Sequence, residues 1–125
     1  VMVLMGGKPS LLKRKGTAHL KATGLSPFNG LPIENAVCMV FTKKIGPSWR
    51  RICETAAHEI GHVYGLDHAF HCKDFMTYLP YCGSKKFMDK DMACGEKKKR
   101  KCKGGSPTQN SFKQLAKVLG RRNMK

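Results

Sequence analysis

Three histidines and a glutamate fall within eleven residues of the sequence, in the stretch HEIGHVYGLDH that begins at His58. If this stretch starts as a helix, His58 and His62 lie on one face, because residues four apart share a helix face. Two imidazoles one turn apart can bind the same metal ion. Gly65 would end the helix and let the chain turn back, so that His68 adds a third nitrogen from the non-helical side.

The number of ligands indicates which chemistry such a site would support. Catalytic zinc has three protein ligands and leaves the fourth position to water or substrate, whereas structural zinc has four protein ligands. Glu59 is offset around the helix, where it is poorly placed to be a ligand but can take a proton from a zinc-activated water. The sequence therefore predicts one catalytic zinc ion on His58, His62 and His68, with Glu59 as the general base.

The complete pattern, H-E-x-x-H-x-x-G-x-x-H, is far more specific than its first half. With 5 His and 13 Gly in 125 residues, chance would produce it in on the order of 2 chains in 100,000. The alternative interpretation, a histidine-rich helix that binds no metal, is therefore the weaker one.

The elements that must position these residues follow from the hydrophobic pattern. The pattern predicts strands at residues 1–5 and 36–42. The second of these strands, AVCMVFT, is a continuous apolar run typical of a strand buried on both faces. Residues 17–22 alternate weakly, which is consistent with an edge strand. Ser48 is a predicted N-cap for a helix whose apolar residues recur at helical spacing until it ends near Gly65.

The second half of the chain is predicted to be largely irregular. Residues 68–103 show no clear period and contain four cysteines. Residues 108–119 predict a final amphipathic helix, with Gly120 just past its end. These elements predict a mixed α+β fold in a single domain spanning 1–125, with a small twisted sheet, an active-site helix and a C-terminal helix.

The metzincin metallopeptidases have a zinc signature that this stretch resembles at five positions, namely His58, Glu59, His62, Gly65 and His68. That family also has a methionine in a tight turn beneath the zinc. Met76 follows the third histidine by eight residues, a spacing similar to that of the matrixins. The resemblance implies a metzincin-like fold and peptide hydrolysis. It also implies that Met76 forms the floor of the site, and the alternative for Met76 is an ordinary core methionine. Ala69 matches none of the residues that the best-known subfamilies use there, so the subfamily stays open.

Tyr78 follows Met76 by two residues and resembles the tyrosine of astacins and serralysins that contacts zinc or stabilises the transition state. The resemblance implies that Tyr78 donates a hydrogen bond to the oxyanion, and a packed aromatic is the alternative. Residues 16–20, GTAHL, are similar to the metzincin edge strand that pairs with extended substrate. Only 57 residues precede His58, fewer than a full metzincin upper subdomain uses, so we expect a minimal or N-terminally shortened member.

The six cysteines predict an exported protein with disulfides, secreted or extracellular or periplasmic, although many pairings are open. The alternative, zinc held by cysteines, is weakened because no CxxC pair occurs. Archaemetzincins bind a second zinc through four cysteines after the third histidine. Here the four that follow do not match that spacing, so a second structural zinc is not expected: Cys72, Cys82, Cys94 and Cys102. The first two flank Met76 and could brace its turn.

The chain is strongly basic, with a net charge of +16. This charge favours anionic partners such as acidic substrates or anionic surfaces. The run KKKRKCK lies in a basic, cysteine-containing loop at about residues 94–105. It has three alternative interpretations: a nuclear-localisation signal, a heparin-like docking patch or a solvated loop. Specific nucleic-acid binding is not predicted, because no nucleic-acid fold motif accompanies the charge. No apolar run approaches the roughly 20 residues that cross a bilayer.

Two functions compete at this point. One is a zinc-dependent metalloendopeptidase of metzincin type, acting on peptide or protein substrates, among which the charge of the chain suggests acidic ones. The other is a catalytically weak or inactive cationic zinc-binding module that docks on anionic surfaces or nucleic acid. The sequence specifies neither a cleavage site nor an oligomeric state.

Overall fold

The structure is a computed structural model that describes residues 1–8 and 22–120. In this part of the chain the order of elements is β1 (Met2–Met5), β2 (Gly24–Leu25), β3 (Val37–Val40), α1 (Thr42–Ile45), α2 (Trp49–Val63) and α3 (Ser111–Leu119). The architecture is mixed α and β with a small sheet, which confirms the predicted class at that level. None of the helices in the described ranges has the length and apolar character needed to cross a membrane.

The three strands form one sheet with β3 in the centre, in the order β1-β3-β2. Strand β1 runs parallel to β3, with Met2 opposite Val37, and β2 runs antiparallel to it, with Gly24 opposite Val40. The strand predicted at residues 1–5 is confirmed. The edge strand predicted at 17–22 and its GTAHL stretch lie outside the described residues, except for Ala22.

Strand β3 is buried on one face only, so the prediction of burial on both faces was wrong. Cys38 and Val40 are fully buried, whereas Val37 is 44% exposed and Met39 is half-buried. Alternation of this kind arises when a single layer of helices covers a strand, because successive side chains point to opposite faces. Val40 packs into a cluster with residues of α1 and α2, which form that layer.

Helix α2 has the predicted position and the predicted cap. The Ser48 hydroxyl accepts a hydrogen bond from the backbone N–H of Arg51 at 3.3 Å and so satisfies one free donor of the first turn. Apolar residues on one face of α2 pack under the sheet, with Ile52 against Val40 and Val63 against Cys38. The helix is therefore held against the centre of the sheet along its whole length.

Residues 68–103 contain no helix or strand, as predicted, and this irregular structure extends from residue 64 to residue 110. Helix α3 begins at Ser111 and not near residue 108, because the Asn110 side chain caps it by accepting from the N–H of Lys113 at 2.9 Å. Leu115 of α3 packs against an apolar cluster that includes Met76. The last helix thus supports the irregular segment that follows α2.

Two disulfides, Cys72–Cys82 and Cys94–Cys102, fasten this irregular segment. The prediction of disulfides is confirmed for these four cysteines, whereas Cys38 and Cys53 are free. The first disulfide flanks the Met76 turn, as expected. Because zinc binds thiolate and a disulfide sulfur is not a thiolate, the four paired cysteines do not provide a metal-binding set.

Candidate metal centre

Helix α2 and the turn after it bring three imidazoles together. The Nε2 atoms of His58 and His62, one helical turn apart, are separated by 3.1 Å. Gly65 has a φ of 93°, a conformation that glycine adopts readily, and the chain turns back there. His68 then places its Nε2 atom 3.0 Å from that of His62. The three histidines form a group that could hold a metal ion.

Each imidazole is oriented by a hydrogen bond at its other ring nitrogen. The Nδ1–H of His58 donates to the carbonyl oxygen of Phe75 at 2.8 Å, and the Nδ1–H of His62 donates to that of Leu66 at 2.8 Å. A carbonyl oxygen can only accept, so these two rings carry their proton on Nδ1. Their Nε2 lone pairs consequently point into the shared space. Orientation of this kind is what metal-ligating histidines require.

The donor set fits zinc. In a tetrahedral site with zinc–nitrogen bonds of about 2.0–2.1 Å, two ligand nitrogens lie about 3.3–3.4 Å apart, slightly more than the distances between these Nε2 atoms. Burial lowers the pKa of His58 to about 3 and that of His62 to about 4. Both rings are therefore neutral at pH 7. Neutral lone pairs this close to one another repel unless a cation lies between them.

Glu59 is buried beside this group and is held from the sheet side. The hydroxyl of Ser26 donates a hydrogen bond to Glu59 Oε2 at 2.5 Å. Gly24 of β2 leaves room for the carboxylate, because a Cβ there would lie 2.5 Å from Glu59 Oε1. Burial raises the pKa of Glu59 to about 7, although the Ser26 hydrogen bond lowers it. The carboxylate is therefore packed in one position on the same helix as His58 and His62.

Met76 lies in a turn under helix α2. Its side chain is fully buried and contacts Gly61, where a Cβ would collide with the Met76 sulfur. Gly61 lies between His58 and His62 on the helix, so the methionine packs beneath the turn that carries both imidazoles. Asp74, also fully buried, accepts a hydrogen bond from the N–H of Met76 at 2.9 Å and fixes the turn.

Tyr78 covers the outer side of the histidine group. Its ring centroid is 4.1 Å from that of His68 and 5.5 Å from that of His58, stacked on the latter. Desolvation raises the pKa of Tyr78, and the carboxylates of Glu59 and Glu96 add to the rise. The phenol therefore keeps its proton at neutral pH, although its side chain lies at the surface with 63% of the residue exposed.

A carboxylate that the sequence interpretation missed orients the third histidine. Glu96 Oε1 accepts a hydrogen bond from the Nδ1–H of His68 at 2.8 Å. Arg100 donates to the same oxygen at 2.6 Å and also forms two hydrogen bonds with Asp67, at 2.7 and 2.9 Å. The Arg100 hydrogen bond lowers the pKa of Glu96 to about 2, despite desolvation, and His68 contributes in the same direction.

Asp67 belongs to the same network. Desolvation raises the pKa of Asp67, but hydrogen bonds from Arg100 and from the backbone N–H groups of Lys103 and His68 outweigh it and lower that pKa to about 2.

The sequence contains one signal that could have indicated this network. Glu96 is an isolated carboxylate beside a run of lysines in a chain with only 8 acidic residues.

A cleft of about 440 Å³ opens on the side of the histidine group that carries Glu59. Lys85 and Glu54 face each other there, with Nζ and Oε2 3.7 Å apart. Lys85 lies close enough to His58 for its charge to add to the effect of burial on the pKa of that histidine. The lining residues come from β2 and the two residues before it, from α2, and from the irregular segment on either side of Met76: Ala22, Thr23, Gly24, Arg51, Glu54, Thr55, His58, Glu59, Phe75, Thr77, Tyr78 and Lys85.

Comparisons of the chain with models of known protein families, with curated proteins and with solved structures found no match. Function is therefore inferred from the residues and geometry of the site.

Proposed function

We propose that the protein is a zinc-dependent metalloendopeptidase of metzincin type. The observation that carries the proposal is the convergence of three oriented imidazoles next to the buried carboxylate of Glu59, at the end of an open cleft. The spacing of the histidines and the buried Met76 turn support the metzincin assignment. The mixed fold with its small sheet is compatible with it.

The proposed roles follow the positions of the side chains. His58, His62 and His68 would hold zinc, which when bound supplies Lewis acidity to a peptide carbonyl and to water. Glu59 accepts the proton of the attacking water at a carboxylate oxygen and passes it to the leaving amine. Tyr78, which keeps its phenolic proton, is the proposed donor to the oxyanion.

The cleft supports a preference for extended, acidic peptides. Strand β2 is an edge strand of the described sheet, and an edge strand can pair with an extended peptide through its free backbone groups. Lys85 and Arg51 line the cleft, whereas Glu54 is already shared between Lys85 and Arg50. The lining holds one further carboxylate, Glu59, which is the proposed base, so a substrate carboxylate next to the cleaved bond would bind at Lys85 and Arg51.

The alternative is a cationic zinc-binding module without turnover. The exposed lysines of the Cys94–Cys102 loop favour it, because lysines 97, 98, 99 and 101 all face solvent and could contact an anionic surface. The two disulfides suit an exported protein under either proposal.

Activity and zinc content together separate the two proposals. Purified protein is dialysed, its zinc is measured by elemental analysis, and cleavage of a casein-type substrate is followed with and without 1,10-phenanthroline. The peptidase holds one zinc and loses cleavage when the chelator is added. One tightly held zinc without any cleavage would instead support the binding module.

Glu59→Gln tests the general base directly. This variant should keep one zinc but lose about 10²–10⁴-fold in kcat/KM, the usual contribution of a positioned base. Glu34→Gln, at an exposed loop position, is the matched control and should retain wild-type activity. Wild-type cleavage by Glu59→Gln would rule out the proposed mechanism.

A further inference from the structure

We infer that the loop closed by Cys94–Cys102 is part of the metal centre, with Glu96 as the positioning residue of His68. The inference rests on the proposed metal binding, and it assigns to the lysine-rich loop a role beyond contact with anionic partners. Arg100 has the supporting role of holding the Glu96 carboxylate in place.

His68 differs from the other two histidines in what orients it. His58 and His62 donate to backbone carbonyls near α2, and these acceptors are held by the main chain. His68 lies outside the helix and donates to a side-chain carboxylate 28 residues further on. Because a carboxylate acceptor raises the basicity of a ligating imidazole, Glu96 would strengthen this ligand as well as orient it.

Arg100 restrains the Glu96 carboxylate on one side and Asp67 on the other. The guanidinium donates to both oxygens of Glu96, at 2.6 and 3.2 Å, and to both oxygens of Asp67, at 2.7 and 2.9 Å. Asp67 directly precedes His68 and accepts from the His68 N–H at 2.7 Å. A rigid, planar guanidinium with paired contacts fixes both carboxylates relative to the histidine.

The backbone of the loop is joined to the same turn. The N–H of Gly95 donates to the carbonyl oxygen of His68 at 2.9 Å, and Ala69 forms a bridge with Cys94. Four exposed lysines, at positions 97, 98, 99 and 101, lie inside the ring that the disulfide closes and repel one another. The disulfide holds this repelling segment in a closed loop, so that Glu96 stays within reach of His68.

The test is zinc affinity, measured by competition with a chromophoric chelator, with cobalt absorption as a second reading of ligand geometry. Glu96→Ala should weaken zinc binding about 10–100-fold, the usual effect of removing an outer hydrogen-bond partner, and should alter the cobalt spectrum. Glu96→Gln, which can still accept from Nδ1–H, should recover part of the affinity. Glu34→Ala, an exposed acidic control, should bind like wild type.

Variants of the loop test the supporting roles. Arg100→Ala should weaken zinc binding less than Glu96→Ala does, and Lys101→Ala, which removes a neighbouring exposed charge, should have no effect. Replacing both Cys94 and Cys102 with Ser should weaken binding in the same direction as Glu96→Ala.

The outcomes distinguish this inference from the proposed function. A wild-type protein that binds no zinc overturns the proposed function itself. A wild type that binds zinc, together with a folded Glu96→Ala variant within about twofold of it and an unchanged cobalt spectrum, overturns the role of Glu96. If Glu96→Ala does not fold, the similarly sized Glu96→Leu, which also lacks an acceptor for the His68 Nδ1–H, decides by the same comparison. A fall in its zinc affinity supports the role, whereas wild-type affinity and spectrum refute it.

Discussion

Gly24 is the position where the smallest change should most affect Glu59, the proposed general base. A Cβ at Gly24 would lie 2.5 Å from Oε1, 2.7 Å from Cγ and 2.9 Å from Cδ of Glu59. Non-bonded atoms pack at about 3.5–4.0 Å, so one of the two residues must move by roughly 1 Å. The backbone of β2 is paired with β3, so we expect Glu59 to be the residue that moves.

The size of the effect follows from this displacement. A shift of about 1 Å in a catalytic arrangement costs about 100-fold in rate, which corresponds to about 2.7 kcal/mol of transition-state stabilisation. Gly24→Ala should therefore lower kcat/KM about 100-fold. Zinc affinity should stay within about twofold of wild type, because the three imidazoles are oriented by contacts elsewhere. Overpacking should cost about 1–3 kcal/mol of folding stability.

The assay compares kcat/KM and zinc affinity on the same preparations, at a temperature where denaturant unfolding shows both proteins to be fully folded. Val37→Ile is the matched control, since it adds a methyl group at an exposed position of the same sheet. A folded Gly24→Ala protein with wild-type kcat/KM would refute the idea that packing against β2 sets the position of Glu59. An equal loss of zinc affinity and activity would show that the change disturbs the whole site.

Three further predictions concern the metal, the cleft and the turn. Removing zinc with a chelator should lower the unfolding temperature, and adding it back at about 100 times its Kd should restore about 2.7 kcal/mol of stability, measured by thermal unfolding. Lys85→Gln should raise KM for peptides with an acidic residue next to the cleaved bond and leave neutral peptides unchanged, whereas Lys86→Gln, at the exposed neighbouring position, should change neither. Asp74→Asn should lower the free energy of unfolding by about 1–3 kcal/mol. Asp74 accepts three hydrogen bonds through its two oxygens, and an amide, which has only one oxygen, leaves one of these donors unpaired. Unchanged urea unfolding would contradict this prediction.

The histidine group could be predicted from the sequence because its geometry is local. His58 and His62 are related by a single helical turn, and Gly65 provides the change of direction that returns His68 to them. The cap at Ser48 and the apolar spacing of α2 are also local signals. A pattern confined to about twenty residues needs no knowledge of the rest of the fold.

The partners of these residues could not be predicted, because they come from distant parts of the chain. Ser26 contacts Glu59 across 33 residues, and Glu96 contacts His68 across 28. Neither pairing leaves a periodic trace in the sequence. Strand β3 shows a similar limit, since an apolar run does not reveal how many layers cover it, and the exposed Val37 shows that one face is open.

The distant contacts also bring acidic side chains to the histidine group and so change the charge around it. A chain with a net charge of +16 repels a divalent cation as a whole. Yet three of its 8 acidic residues, Glu59, Asp67 and Glu96, lie beside the three imidazoles. Arg100 offsets one of these negative charges while fixing two of the carboxylates. The carboxylates that long-range folding brings to the histidines thus make the centre locally favourable for a cation in a protein whose composition alone would disfavour one.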